Sequence, residues 1–227
     1  MSFGESVWER TRGRDALGER AYLGAVSGFT VYGLVLASVI GYMTMDWKPG
    51  IVGFLFIGLA IPIAGVFIAL SSDHWPISLF GYTLIVVGLG AIIGPSVALY
   101  DTSVVMTAFA ATAGVSIAMS IVGIVYPRLL LGWGGYLFAA LSSLLLVRVG
   151  QLFMAGFGVS PTVWDWPFID YAAALLFSLY IIYDWNRAMD LPKTIDNAVD
   201  AAVAIFLDIA NLFINLLRIF GGRGSRD

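Results

Sequence analysis

The sequence predicts an all-α integral membrane protein with seven transmembrane helices, on three observations. Apolar residues make up 59% of the 227 positions, about 134 residues. A membrane-spanning helix needs roughly 20, so the supply covers about six or seven spans. Charged residues are only 12% of the chain, about half the roughly 25% of a soluble domain. The apolar residues also fall into seven runs separated by short polar punctuation. A soluble globule, a disordered chain and a coiled coil are excluded together.

The first run, 22–45, follows an arm, 1–21, in which Arg10, Arg12, Arg14 and Arg20 are mixed with Glu5, Glu9, Asp15 and Glu19. No short apolar core with a small-residue cleavage site follows that arm, so no removed signal peptide is expected. Asp46-Trp47-Lys48-Pro49-Gly50 ends the first run, and Ser72-Asp73-His74-Trp75-Pro76 ends the second, 51–70. The third, 77–100, stops at Asp101-Thr102, and the fourth, 103–126, at Pro127-Arg128. Between the fifth, 129–153, and the sixth, 168–186, lies Ser160-Pro161-Thr162-Val163-Trp164-Asp165-Trp166-Pro167, whose tryptophans suit a headgroup interface. The last run is 199–220, and 221–227 forms a polar tail after the 22–220 membrane domain. Pro62 and Pro95 lie inside runs and predict kinks, which a bundle tolerates because neighbouring helices satisfy the freed backbone groups. No internal repeat is evident, so an inverted-repeat transporter is not indicated.

Counting Lys and Arg on alternate sides of seven spans gives an orientation. Arg10, Arg12, Arg14, Arg20, Arg128, Arg187 and Lys193 fall on the amino-terminal side, against Lys48, Arg218, Arg223 and Arg226 opposite. The amino terminus is therefore expected in the cytoplasm; a re-entrant last segment would put both ends there. A net charge of −3 leaves no basic face for nucleic acid. With no cysteine there is no disulfide, thiolate metal site or cysteine nucleophile.

Ionisable groups at membrane depth cost several kcal/mol unless paired or wetted. Three stand out: Asp184, Asp208 and Arg148. Asp208 lies near the middle of the last run. At 100° per residue, Asn197, Asp200, Ala204, Asp208, Asn211 and Asn215 fall within about 80° of one line. A polar stripe in lipid must face helices or water, so the last helix is expected to line a central site, with Asp200, Asn211 and Asn215 as pore-lining candidates. Asp184 sits in the last turn of the sixth run, and the short connection onward makes the two helices antiparallel neighbours. The two carboxylates meet only if the sixth helix extends or the last begins late. Such a pair in low dielectric shares a proton and titrates as a unit; without the proton it offers hard oxygens that suit Ca²⁺. The alternative is an interhelical hydrogen bond that only locks the bundle. Arg148 either snorkels to the interface or serves as counter-ion to an internal carboxylate. His74, the single histidine, is either a solvated loop residue or a proton sensor.

The stretch Phe177-Ser178-Leu179-Tyr180-Ile181-Ile182-Tyr183-Asp184 resembles the sixth helix of the Bax inhibitor family of membrane proteins. Leu207-Asp208-Ile209-Ala210-Asn211-Leu212-Phe213, continuing through Asn215-Leu216-Leu217-Arg218 to Gly221, resembles its last helix, most closely in the bacterial calcium-leak branch. Gly94-Pro95 and Gly150-Gln151 extend the similarity over most of the chain. The resemblance implies six helices surrounding a central last one, and pH-sensitive calcium leak or, in eukaryotes, suppression of cell death. It further implies a gate of two aspartates, which match Asp184 and Asp208 here, with Ca²⁺ as the transported or bound ion. The bacterial branch carries basic residues after its second helix, one of which latches the pair. Here Ser71-Ser72-Asp73-His74-Trp75 offers no Arg or Lys. The latch either passes to His74 or is absent, leaving gating to the shared proton.

Three classes compete. A proton-gated cation leak fits the polar last helix. A non-conducting regulator binding a membrane protease or a death-pathway protein has little soluble loop surface to use. An enzyme or light-driven pump fits worst: both lysines, Lys48 and Lys193, lie in loops rather than in the last helix, and the single histidine is not within a span to pair with a membrane serine. No enzyme activity and no cofactor are expected. Short loops and the absence of targeting signals suggest a prokaryotic plasma membrane.

Overall fold

A computed structural model of the chain describes residues 16–48, 50–159 and 166–222. The arginines at 10, 12, 14, 223 and 226, Pro49 and the 160–165 connection with Trp164 lie outside the described residues. All the regular structure among the described residues is helical, and seven helices are long and apolar enough to cross a membrane.

In chain order, α1 is Glu19–Met43, α2 occupies 51–70, α3 is Trp75–Val97 and α4 is Thr102–Val125. A short 3₁₀ turn, Leu131–Trp133, leads into α5, Gly134–Gly156; α6 is Pro167–Asp190 and α7 is Ile195–Gly221. The kink expected at Pro62 takes a specific form. Helix α2 is α-helical over Ile51–Leu55, widens into a π-helical turn at Phe56–Ala60, and resumes as Ile61–Leu70. Proline cannot donate to the carbonyl four residues back, and the wider turn ahead of it absorbs that loss. Pro95 lies in the last turn of α3.

The sixth and seventh helices each gain a turn over the apolar runs, closing at Asp190 and opening at Ile195. Hydrophobicity marks membrane depth, whereas these ends are set by caps. Thr194 Oγ1 accepts from the Asn197 backbone N–H at 3.1 Å, as an N-cap does. The Asn197 side chain donates back to the Pro192 carbonyl at 2.7 Å, and Lys193 Nζ donates to the carbonyls of Met189 and Leu191 at the end of α6.

Burial is uneven. Within the apolar windows 50% of α3, 56% of α6 and 44% of α7 is buried, against 11–22% in the other four. The polar-striped last helix is thus among the three most buried.

The chain divides into two compact units. The first comprises Met1–Leu99 with Arg187–Leu207, so it holds α1, α2, α3, the end of α6 and the start of α7. Its helices approach through small residues. A Cβ at Gly81 would lie 2.6 Å from the Gly65 carbonyl oxygen, a contact that only two glycines permit, and this close approach is what lets α2 and α3 pack in lipid. Tyr82, fully buried, donates to the Phe29 carbonyl at 3.2 Å and sets its ring edge-on against Phe206.

The second unit comprises Tyr100–Asn186 with Asp208–Asp227. Here polar side chains make the ties. Asn186 is fully buried; its Nδ2 donates to the carbonyls of Gly123 at 2.8 Å and Tyr126 at 2.9 Å, and its Oδ1 accepts from the Leu130 N–H at 2.8 Å. One amide thereby satisfies the Gly123 carbonyl near the end of α4 and adds a second donor to the Tyr126 carbonyl, which also accepts from the Leu129 N–H at 3.1 Å.

Candidate functional site

The second unit contains the carboxylates singled out by the sequence. Asp184 is carried by the apolar stretch of α6 and lies six residues before its end, because the helix continues to Asp190. That extension sets it about 9 Å inside the helix end rather than in its last turn. Asp208 lies thirteen residues into α7. Both are buried, 8% and 7% exposed, and their side chains are hydrogen-bonded to each other. A hydrogen bond between two carboxyl groups requires that one of them carry a proton. In a low-dielectric interior, the alternative of two adjacent bare charges is strongly disfavoured. The second oxygen of Asp208, Oδ2, is buried without a hydrogen-bond partner. Tyr180, one turn before Asp184, lies within electrostatic reach of both carboxylates, and sequence reasoning passed it over as part of an apolar run.

Further along α7, Asn211 is half-buried and Asn215 is buried. Asn215 Nδ2 donates to the Asn211 carbonyl at 2.7 Å, and its Oδ1 accepts from Arg148 at 2.9 Å. Arg148 is not directed to the interface. The same Nη2 donates to Asp170 Oδ1 at 2.5 Å, and Nη1 donates to Gln151 Oε1 at 3.1 Å. Arg218 stands 3.7 Å from the same Asp170 oxygen. Arg148 is thus a counter-ion, and its carboxylate is Asp170. Asp170 stands three residues into α6, in its first turn, where an acidic residue is ordinary in a sequence. Its separation from Asp184 was the available signal: fourteen residues return to within about 40° of the same helix face.

Asp200 belongs to the first unit. Its electrostatic neighbours are Asp196, Arg187 and Asp73, and one of its carboxyl oxygens is buried without a partner. Asp196 accepts from Ser78 Oγ at 2.7 Å. His74 is exposed at the start of α3, where its backbone N–H donates to Ser72 Oγ, and its charge neighbour is Asp196. Among the described residues no group of three or more His, Cys, Asp or Glu side chains is arranged to hold a metal ion.

Seven membrane-length helices define a polytopic helical membrane protein, and its second unit carries a buried pair of carboxyl groups. A family model described as "Inhibitor of apoptosis-promoting Bax1" matches residues 19–225, and the chain belongs to the Bax inhibitor family. It is 26% identical over 225 residues to the inner membrane protein YbhL of Escherichia coli K12, covering 91% of this chain and 93% of that one. An uncharacterized protein of Helicobacter pylori is 30% identical over 192 residues, 85% of this chain and 70% of its own. An uncharacterized membrane protein of Streptococcus pyogenes serotype M3 is 34% identical over 128 residues, about half of each chain.

Proposed function

We propose that this protein is a pH-sensitive cation leak, with calcium as the transported ion, closed by the proton that Asp184 and Asp208 share. The single observation behind this reading is their side-chain hydrogen bond inside the second unit. With the proton bound, the pair is a neutral-donor contact that ties α6 to α7. Without it, two carboxylates repel, and their oxygens become hard ligands for a divalent cation, with water completing the six to eight oxygens that Ca²⁺ takes. The sign follows from proton counting. The closed form holds one more proton than an open form with both groups ionised, so acidification favours closure, and alkalinity or Ca²⁺ favours opening. Membership of the family and the inner-membrane name of the Escherichia coli relative support a bacterial plasma membrane as the site of action. The Lys and Arg distribution supports a cytoplasmic amino terminus.

Calcium flux into liposomes carrying the purified protein, followed across about pH 5 to pH 8, tests the reading. Flux should rise with pH. Asp208→Asn and Asp184→Asn should each flatten that profile while the bundle stays folded, because an amide still bridges the helices. Flux that never exceeds that of empty liposomes would point instead to a non-conducting regulator. An unchanged profile in both variants would reduce the pair to a structural hydrogen bond.

A further inference from the structure

A second polar cluster lies in the same unit and on the same helix face as the carboxyl pair. Asn215 follows Asp208 by seven residues, about two turns and roughly 10 Å along α7, within about 20° of the same line. It holds Arg148, which is bound to Asp170 on α6, and Arg218 stands against the same carboxylate. Helices α5, α6 and α7 thus converge on two guanidiniums and one carboxylate, a net charge of one positive. The Arg148 and Asp170 side chains are largely shielded, 23% and 12% exposed, whereas Arg218 is half-exposed at 47%. A protein that needed only a brace here could have used a matched pair. The surplus charge is what a cation moving along this face from Asp208 would meet, with the shielded Arg148 guanidinium its least screened part.

We propose that Arg148, fixed by Asp170 and Asn215, is an electrostatic barrier in series with the Asp184–Asp208 closure and sets the size of the cation leak. This rests on the leak reading above and adds to it a division of labour. The carboxyl pair decides when the path opens, and the guanidinium decides how much passes and disfavours divalent cations most.

Three single substitutions separate a charge barrier from a brace. Arg148→Gln and Asn215→Asp both bring the cluster to zero net charge, the first by breaking the ion pair and the second while keeping it. Asp170→Asn raises the cluster to two positive charges while breaking the same ion pair. At alkaline pH in the liposome assay, calcium flux should rise roughly tenfold in Arg148→Gln and in Asn215→Asp, and fall roughly tenfold in Asp170→Asn. Thermal unfolding of each variant in detergent controls for folding, and Asn215→Asp still tests the barrier should Arg148→Gln fail to fold. A brace predicts that Arg148→Gln and Asp170→Asn move flux in the same direction, and that Asn215→Asp leaves it level or lower. Either result overturns the barrier while leaving the leak intact, provided that the wild-type protein conducts and Asp208→Asn flattens its pH profile. Wild-type liposomes without calcium flux would overturn the leak reading and the barrier with it.

Discussion

The two units of this protein solve the same problem by different means. Helices in lipid gain little from burying apolar surface against one another, because acyl chains are as apolar as leucine. In the first unit the answer is shape. Gly65, Gly81, Gly88, Gly90 and Gly94 bring backbones of α1, α2 and α3 into contacts that leave no room for a Cβ. The second unit has such a helix contact as well, Gly123 of α4 against Trp185 and Ile182 of α6, and adds polar chemistry to it. Asn186 ties α6 to the end of α4, Arg148 ties α5 to α6 and α7, and Asp184 meets Asp208. Several glycines of the second unit, Gly114 and Gly150 among them, have nothing near the position a Cβ would take. The first unit should therefore respond to added volume, and the second to lost donors, acceptors and charge. Only the second kind of contact can be switched by a proton or an ion, and the proposed gate draws on it.

The largest expected effect comes from breaking the shape side of this contrast. Gly81→Leu should cost about 3 kcal/mol or more, because the new side chain meets the backbone of Gly65 and Ala69 rather than the end of a flexible side chain. Thermal unfolding in detergent would read it, and a near-normal midpoint would mean that α2 and α3 have slack to separate. Next comes the polar side. Asn186→Leu fills the same space but leaves the Leu130 N–H and the Gly123 carbonyl without this partner, at a cost of about 2 kcal/mol by the same measurement. If the loss were as small as that of a surface substitution, water would have to reach this site. The smallest effect sharpens the comparison from the opposite direction. Gly114→Ala on α4 meets open space and should stabilise by about 0.5 kcal/mol, since alanine is the better helix former. Destabilisation there would show that α4 depends on a bare glycine at Gly114 as it does at Gly123.

Helix number and order were legible because seven apolar runs separated by Asp, Pro and Gly punctuation have few alternatives. Helix ends were legible only where hydropathy and helicity stop together. At the junction of α6 and α7 they do not: capping by Thr194 and the turn around Pro192 and Lys193 carry both helices beyond the apolar runs. The same shift moved Asp184 from a helix terminus to an interior position. Asp208 and the stripe through Asn211 and Asn215 could be read from helical periodicity alone, since their spacing leaves no lipid-facing solution for them. Asp170 and Asn186 could not. Each sits near a run boundary, where a polar residue is ordinary, and each is made significant only by partners 22 and 56 to 63 residues away.

The sequence by itself determined a seven-helix membrane protein with a polar last helix and two aspartates that had to find partners, because each costs too much in lipid to be left alone. Only the tertiary structure decided which partners they found. Asp184 and Asp208 joined each other, and Arg148 went to Asp170 and Asn215 instead of to water. The physical reason is that desolvation is a property of a residue and its depth, whereas pairing depends on the rotation and offset of whole helices. Those are fixed by caps and glycine contacts spread along the chain, which no single motif encodes.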